Sequence, residues 1–135
     1  MLRQLDDKTL VSGQIRPEDV AEIKRHGVTM IVNNRPDDED QGQPPGGDIE
    51  AAARAAGIEY RFVPIFRGIG PADAQAMQEA EQASGGGKML AYCRSGTRSA
   101  LAWAIGKREQ GVPREELERC AARAGVDLTP VSHLL

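Results

Sequence analysis

Short apolar runs alternate along this chain with stretches whose apolar residues recur every three or four positions, the pattern of strands alternating with helices. The strongest strand signal is Val28-Thr29-Met30-Ile31-Val32, β-branched, apolar and bounded by turn residues. Another short strand is predicted around Thr9-Leu10-Val11-Ser12-Gly13, one by the alternation from Ile58 to Ile65, and a central one by Lys88-Met89-Leu90-Ala91-Tyr92. Helices are predicted from Pro17 to a stop at Gly27, from Ile49 to Ala56, and from Pro71 to Ser84, where Gly85-Gly86-Gly87 ends the element. A further helix includes Ala100 to Ile105 and ends near Gly111, and a last one starts at Pro113 and carries Cys120. From Asn33 through Asp48 the chain is acidic and rich in Gly and Pro, which reads as a long loop of the functional or mobile kind. No repeat or linker interrupts the series. The expectation is one α/β domain over residues 1–135, with a four- or five-stranded, mainly parallel sheet flanked by helices on both faces.

The chemistry sits where the central strand ends. Tyr92-Cys93-Arg94-Ser95-Gly96-Thr97-Arg98-Ser99 reads as strand end, tight loop and helix start. In that geometry successive backbone N–H groups converge and bind an anion. Cys93 at its base sits in positive potential, which favours the thiolate, the reactive form. Arg98 offers a planar fork of donors to a tetrahedral oxyanion, and Arg94 adds charge. Gly96 lets the backbone turn its amides inward without a Cβ penalty. Ser99 is placed to donate its hydroxyl to the thiolate or to help expel it from a covalent intermediate. Catalytic roles therefore fall to Cys93, Arg98 and Ser99, and anion binding to Arg94, Ser95, Gly96 and Thr97. The alternative role for Cys93 is a small buried hydrophobe ending a core strand.

Composition narrows the partners. The formal net charge is −3, and aromatic residues are 4% of the chain, which argues against a large nucleic-acid surface or a base-stacking platform. No apolar run is long enough to span a bilayer, and Met1-Leu2-Arg3-Gln4 opens no signal peptide, so the expectation is a cytoplasmic protein without membrane partners. Two cysteines make no disulfide framework, and isolated His26 and His133 give no metal-ligand spacing. Neither a metal nor an organic cofactor is expected, and the sequence leaves the oligomeric state open.

The chain resembles families on specific residues. Cys93-Arg94-Ser95-Gly96 followed by Arg98-Ser99 resembles the signature of cysteine-dependent protein phosphatases. Together with Val11-Ser12-Gly13-Gln14 and Val32-Asn33-Asn34-Arg35-Pro36-Asp37, it resembles the phosphatase-like domain of beta-lactamase-hydrolase-like proteins, over roughly Leu5 to Arg108. That resemblance implies a protein-tyrosine-phosphatase-like fold of the dual-specificity kind, with Cys93 as nucleophile and Arg98 as phosphate clamp. It depart from the general phosphatase pattern in three ways. Only Thr97 separates Gly96 from Arg98, so the loop is one residue short. Tyr92 stands where phosphatases usually place a histidine. No general acid is evident, since the loop after the preceding strand reads Ile65-Phe66-Arg67-Gly68-Ile69-Gly70. Asp73 is the nearest carboxylate, equally readable as first-turn helix charge, and Asp37 or Asp38 could swing in from the acidic loop.

The same loop is similar to that of single-domain rhodanese-type sulfurtransferases, in which a cysteine, four residues and an arginine cradle a persulfide. The leading expectation is a phosphatase-like hydrolase acting on a phosphorylated substrate. The alternatives are a sulfurtransferase taking a sulfur donor and a non-catalytic anion-binding module. Arg35, at the same sheet edge as Cys93, either contacts the substrate anion or pairs with Asp37 or Glu39. Cys120 is expected in the core, with a resolving thiol for Cys93 as its other role. Trp103 is expected as core packing, and His26 as a helix C-terminal residue.

Overall fold

The apolar runs build five strands and the periodic segments five helices, seen in a computed structural model that describes all of residues 1–135. The strands are β1 (Arg3–Gln4), β2 (Thr9–Ser12), β3 (Val28–Asn33), β4 (Glu59–Phe62) and β5 (Lys88–Tyr92). The helices are α1 (Val20–Arg25), α2 (Gly46–Ala55), α3 (Pro71–Ala83), α4 (Thr97–Glu109) and α5 (Arg114–Arg123). Short 3-10 turns cover Pro17–Asp19 and Thr129–Leu134. The sheet order is β1-β2-β5-β3-β4, parallel throughout except for β1, which runs antiparallel to β2. The expected single α/β domain with a mainly parallel sheet is therefore observed, with five strands.

Side chains alternate across the sheet, so β5 feeds two cores. Met89 and Ala91 face α3, α4 and α5, while Leu90 and Tyr92 face α1 and α2. Helix α4 is apolar almost all round from Ser99 to Gly106 because it is enclosed by the sheet, α3 and α5. Trp103 and Cys120 are both buried in that larger core, as expected. At Gly106 a Cβ would come within 3.3 Å of the Ala74 carbonyl, which is how closely α3 and α4 cross.

The structure departs from the sequence pattern at the element ends. β1 was not predicted, since two polar residues on an edge strand carry no periodic signal. The predicted strand from Ile58 to Ile65 is a ladder only over Glu59–Phe62. Pro64 has no N–H to continue it, although Val63 and Ile65 still donate to the Asn33 and Asn34 carbonyls at 2.8 and 2.9 Å. The predicted helix at Ile49 starts at Gly46, because the Asp37 carboxylate accepts the Gly46 N–H at 2.8 Å from nine residues upstream. The helix predicted from Pro17 opens as a 3-10 turn before α1.

All four parallel strands deliver their carboxyl ends to one edge, the place where open α/β sheets bind ligands. Buried Asn34 laces that edge together. Its backbone N–H donates to the Tyr92 carbonyl at 2.8 Å, its Nδ2 to the Val63 carbonyl at 2.9 Å, and its Oδ1 accepts the Ser99 hydroxyl at 2.7 Å. Asn34→Ala leaves a partly buried carbonyl and a buried hydroxyl unpaired and is expected to cost about 1–3 kcal/mol, measured by urea denaturation.

Candidate active site

β5 ends by placing Cys93, 1% exposed, at the floor of the strand-to-helix loop. Gly96 caps α4 in the left-handed conformation, φ +94°, and its N–H donates to the Cys93 sulfur at 3.1 Å. A Cβ at Gly96 would meet the Ser12 carbonyl at 3.2 Å, so both conformation and space call for glycine there. Burial alone would push the Cys93 thiol up. The backbone amides of Ser99, Ser95, Gly96 and Arg98 outweigh it and hold its pKa below the ordinary thiol value. Cys93 sulfur thus takes the place of the side-chain oxygen that ordinarily caps a helix N-terminus.

The other loop residues face outward. Arg94 is exposed and pairs with Asp40 at 3.1 Å. Ser95 and Thr97 hydroxyls bond each other at 3.1 Å on the surface. Ser99 was expected to offer its hydroxyl to the thiolate. That hydroxyl is committed to Asn34, and only the Ser99 backbone N–H acts on the sulfur.

Arg98 reaches back across the loop. Its Nη1 donates to the Ile65 carbonyl at 2.8 Å, and its two terminal nitrogens hold Glu39 in a bidentate pair at 2.6 and 2.8 Å. That pair raises the Arg98 pKa further, with the negative charge on Cys93 adding to it against the effect of burial. Glu39 is brought down to about 2, first by Arg98 and then by Arg35, against the opposing effect of burial. Arg35 is buried and does not reach the anion loop. Its Nε holds Glu39 at 2.9 Å, its Nη2 holds Asp40 at 2.6 Å, and its Nη1 donates to Gln14 Oε1 at 3.0 Å. Of the two ion-pair partners expected for Arg35, Glu39 is used; Asp37 is drawn away to cap α2.

The long stretch after β3 is therefore an ordered strap, pinned by Arg35, Arg94 and Arg98, that lays Glu39 and Asp40 against the mouth of the site. Asp38 sits on it with φ +63° and an exposed side chain. Asp73 is no nearer to acting as an acid, since its Oδ2 accepts the Gly70 N–H at 3.0 Å and caps α3. Tyr92 packs in the core on the α1/α2 side, where burial raises its hydroxyl pKa and keeps it neutral. No three His, Cys, Asp or Glu side chains come together as a metal-binding set. Gln14, Asn34, Glu39 and Asp40 join the site without having been predicted in it. The clustered carboxylates 37–40, directly after a strand aimed at the site edge, were the available signal.

Residues 1–110 match the family model described as "Beta-lactamase hydrolase-like protein, phosphatase-like domain". The chain belongs to that family. The beta-lactamase hydrolase-like protein of Xylella fastidiosa is 36% identical over 126 residues, which is 92% of this chain and 29% of that protein. The Agrobacterium fabrum protein of the same name is 31% identical over 134 residues, 98% of this chain and 31% of its own length. The chain thus spans under a third of these relatives. Among solved structures, a candidate phosphatase of Neisseria meningitidis superposes with a TM-score of 0.82 at 30% identity, covering 98% of this chain and 97% of that one. The phosphatase PTPMT1 superposes with a TM-score of 0.70 at 16% identity over 99% and 93% of the two chains, which shows the shared tyrosine-phosphatase-like fold. The chain is a phosphatase-like domain of this fold, and no helix in it is long and apolar enough to cross a membrane.

Two measurements probe the electrostatics of the site. The rate of Cys93 alkylation by iodoacetamide is expected to rise with pH through an inflection below that of a free cysteine, followed by the mass of the Cys93 peptide. Glu39 contributes stability that is complete above its unfolded value of 4.5 and lost as pH falls toward about 2. The stability advantage of the native chain over Glu39→Gln is therefore expected to shrink across that window, read from thermal midpoints.

Proposed function

We propose that this domain transfers sulfane sulfur, carrying it as a persulfide on Cys93. The observation that carries the reading is the fate of the carboxylates around the loop. Asp37 and Asp73 are spent as helix caps, and Asp40 is paired with two arginines. Glu39 stays ionised at neutral pH, with a pKa of about 2. Hydrolysis of an alkyl phosphate needs a proton for the departing alkoxide. Sulfur transfer needs none, because sulfite and thiolates leave as stable anions. The loop length agrees: the six residues from Cys93 to Arg98 match the cysteine-to-arginine spacing of rhodanese-type loops.

In the first half-reaction the Cys93 thiolate attacks the outer sulfur of a donor such as thiosulfate. The donor S–S bond breaks, sulfite departs with its electron pair, and Cys93 keeps the sulfur as Cys–S–S⁻. In the second, an acceptor nucleophile attacks that outer sulfur and releases the Cys93 thiolate. The inward amides of Ser95, Gly96, Arg98 and Ser99 hold the negative sulfur at each stage, and Arg98 supplies the cation. No net oxidation occurs.

Phosphoester hydrolysis is the second reading, supported by the family and by the tyrosine-phosphatase-like fold. There Cys93 attacks phosphorus in line, the loop amides and Arg98 stabilise the equatorial oxygens, and water cleaves the cysteinyl-phosphate. With Asp37, Asp73, Glu39 and Asp40 so engaged, that chemistry suits leaving groups that depart as stable anions, such as p-nitrophenolate.

Intact mass after incubation with thiosulfate separates the two. A gain of one sulfur, about 32 Da, on Cys93 is expected, with thiocyanate formed from thiosulfate and cyanide and lost in Cys93→Ser. Cys93-dependent release of p-nitrophenolate from its phosphate ester, without any sulfur gain, overturns sulfur transfer in favour of the second reading. Sulfate binding with neither turnover leaves an anion-binding module.

A further inference from the structure

The amides that hold the Cys93 sulfur belong to peptide units whose opposite ends are also held. A trans peptide points its C=O and N–H in opposite directions, so fixing one end aims the other. The Arg94 carbonyl points away from the sulfur and accepts the Gln14 backbone N–H at 3.3 Å, and the N–H of the same peptide unit, that of Ser95, faces Cys93. The Ser95 carbonyl also points away and accepts Nη2 of Arg3, and the N–H of that unit is the Gly96 donor at 3.1 Å from the sulfur.

The two anchors differ in kind. Gln14 acts through its backbone, beneath a loop so close that a Cβ on Gly13 would stand 2.9 Å from the Arg94 oxygen. Ser95 depends on one side chain. Arg3 reaches it from β1, where it pairs with Val11, and its other terminal nitrogen donates to the Ala124 carbonyl at 2.9 Å, at the end of α5. One guanidinium thus bridges the active loop and the last turn of the C-terminal helix.

We propose that Arg3 is a positioning residue of the active loop: by holding the Ser95 carbonyl outward, it keeps the Gly96 N–H aimed at Cys93. Released, this peptide unit is free to turn about the glycine, which tolerates both orientations. The sulfur then loses a donor and faces a carbonyl dipole in its place. The inference rests on Cys93 being the reacting thiolate and is independent of which group it transfers.

The test is the pH profile of Cys93 alkylation in the full chain, without substrate, for Arg3→Met, Arg3→Lys and Val126→Ala. Val126 is buried just beyond α5 and serves as the control for loosening that end of the fold. Arg3→Met is expected to raise the inflection by about one pH unit, Arg3→Lys by about half a unit, and Val126→Ala not at all. Lysine brings one nitrogen to two carbonyls, so partial rescue is its signature. An unchanged inflection in Arg3→Met overturns the proposal, as does an equal rise in Val126→Ala. If Arg3→Met does not fold, Arg3→Lys decides: a rise supports the proposal and no rise overturns it. Failure of sulfur or phosphoryl turnover leaves these inflections intact, so the two readings fail separately.

Discussion

A sulfur atom held by the backbone amides at the start of α4 is the interaction around which the carboxyl edge of the sheet is arranged. Its donors belong to peptide units, so it cannot be supplied by choosing polar side chains alone. The chain must turn, and Gly96 in the left-handed conformation makes that turn. Burial works against the charge on Cys93, and several aligned amides overcome it. The site is thus an electrostatic device built mostly of main chain, with Arg98 as its side-chain cation, fixed from behind by Ile65 and Glu39.

The packing explains why this loop keeps its shape. Asn34 binds three different segments at the sheet edge, and Arg35 binds three side chains beside it. Both follow β3 directly, so a single strand end organises the site of its neighbour β5. The acidic strap between β3 and α2 is held by ion pairs at one end and by the Asp37 cap at the other. Acidic residues that would elsewhere be candidates for proton transfer are structural here, and that redistribution weighs on the choice of reaction more than the fold does.

Much of this was legible in the sequence, for a physical reason. β3 and β5 announce themselves because both faces of each are buried, and the Cys93–Ser99 loop is readable because its contacts are local: strand end, glycine, helix start. β1 was invisible, being two residues long with no apolar period. Asp37 and Asp73 offered carboxylates with no indication that each would fold onto a backbone N–H. The Arg98–Glu39 pair joins residues 59 positions apart, and the Ser99–Asn34 bond spans 65, so neither leaves a periodic trace. Arg3 is the sharpest case, an ordinary charged residue in sequence whose placement beneath the loop depends on one antiparallel edge pairing.

The bidentate grip of Glu39 on Arg98 alters what anion binding means at this site. The two terminal nitrogens of Arg98 are already neutralised by a carboxylate of matching width. An anion that takes those nitrogens displaces Glu39 from the fork, while Glu39 stays tethered beside it through Arg35 Nε at 2.9 Å. Selectivity then rests on the difference between two anions on one fork, and bare electrostatic attraction contributes little to it.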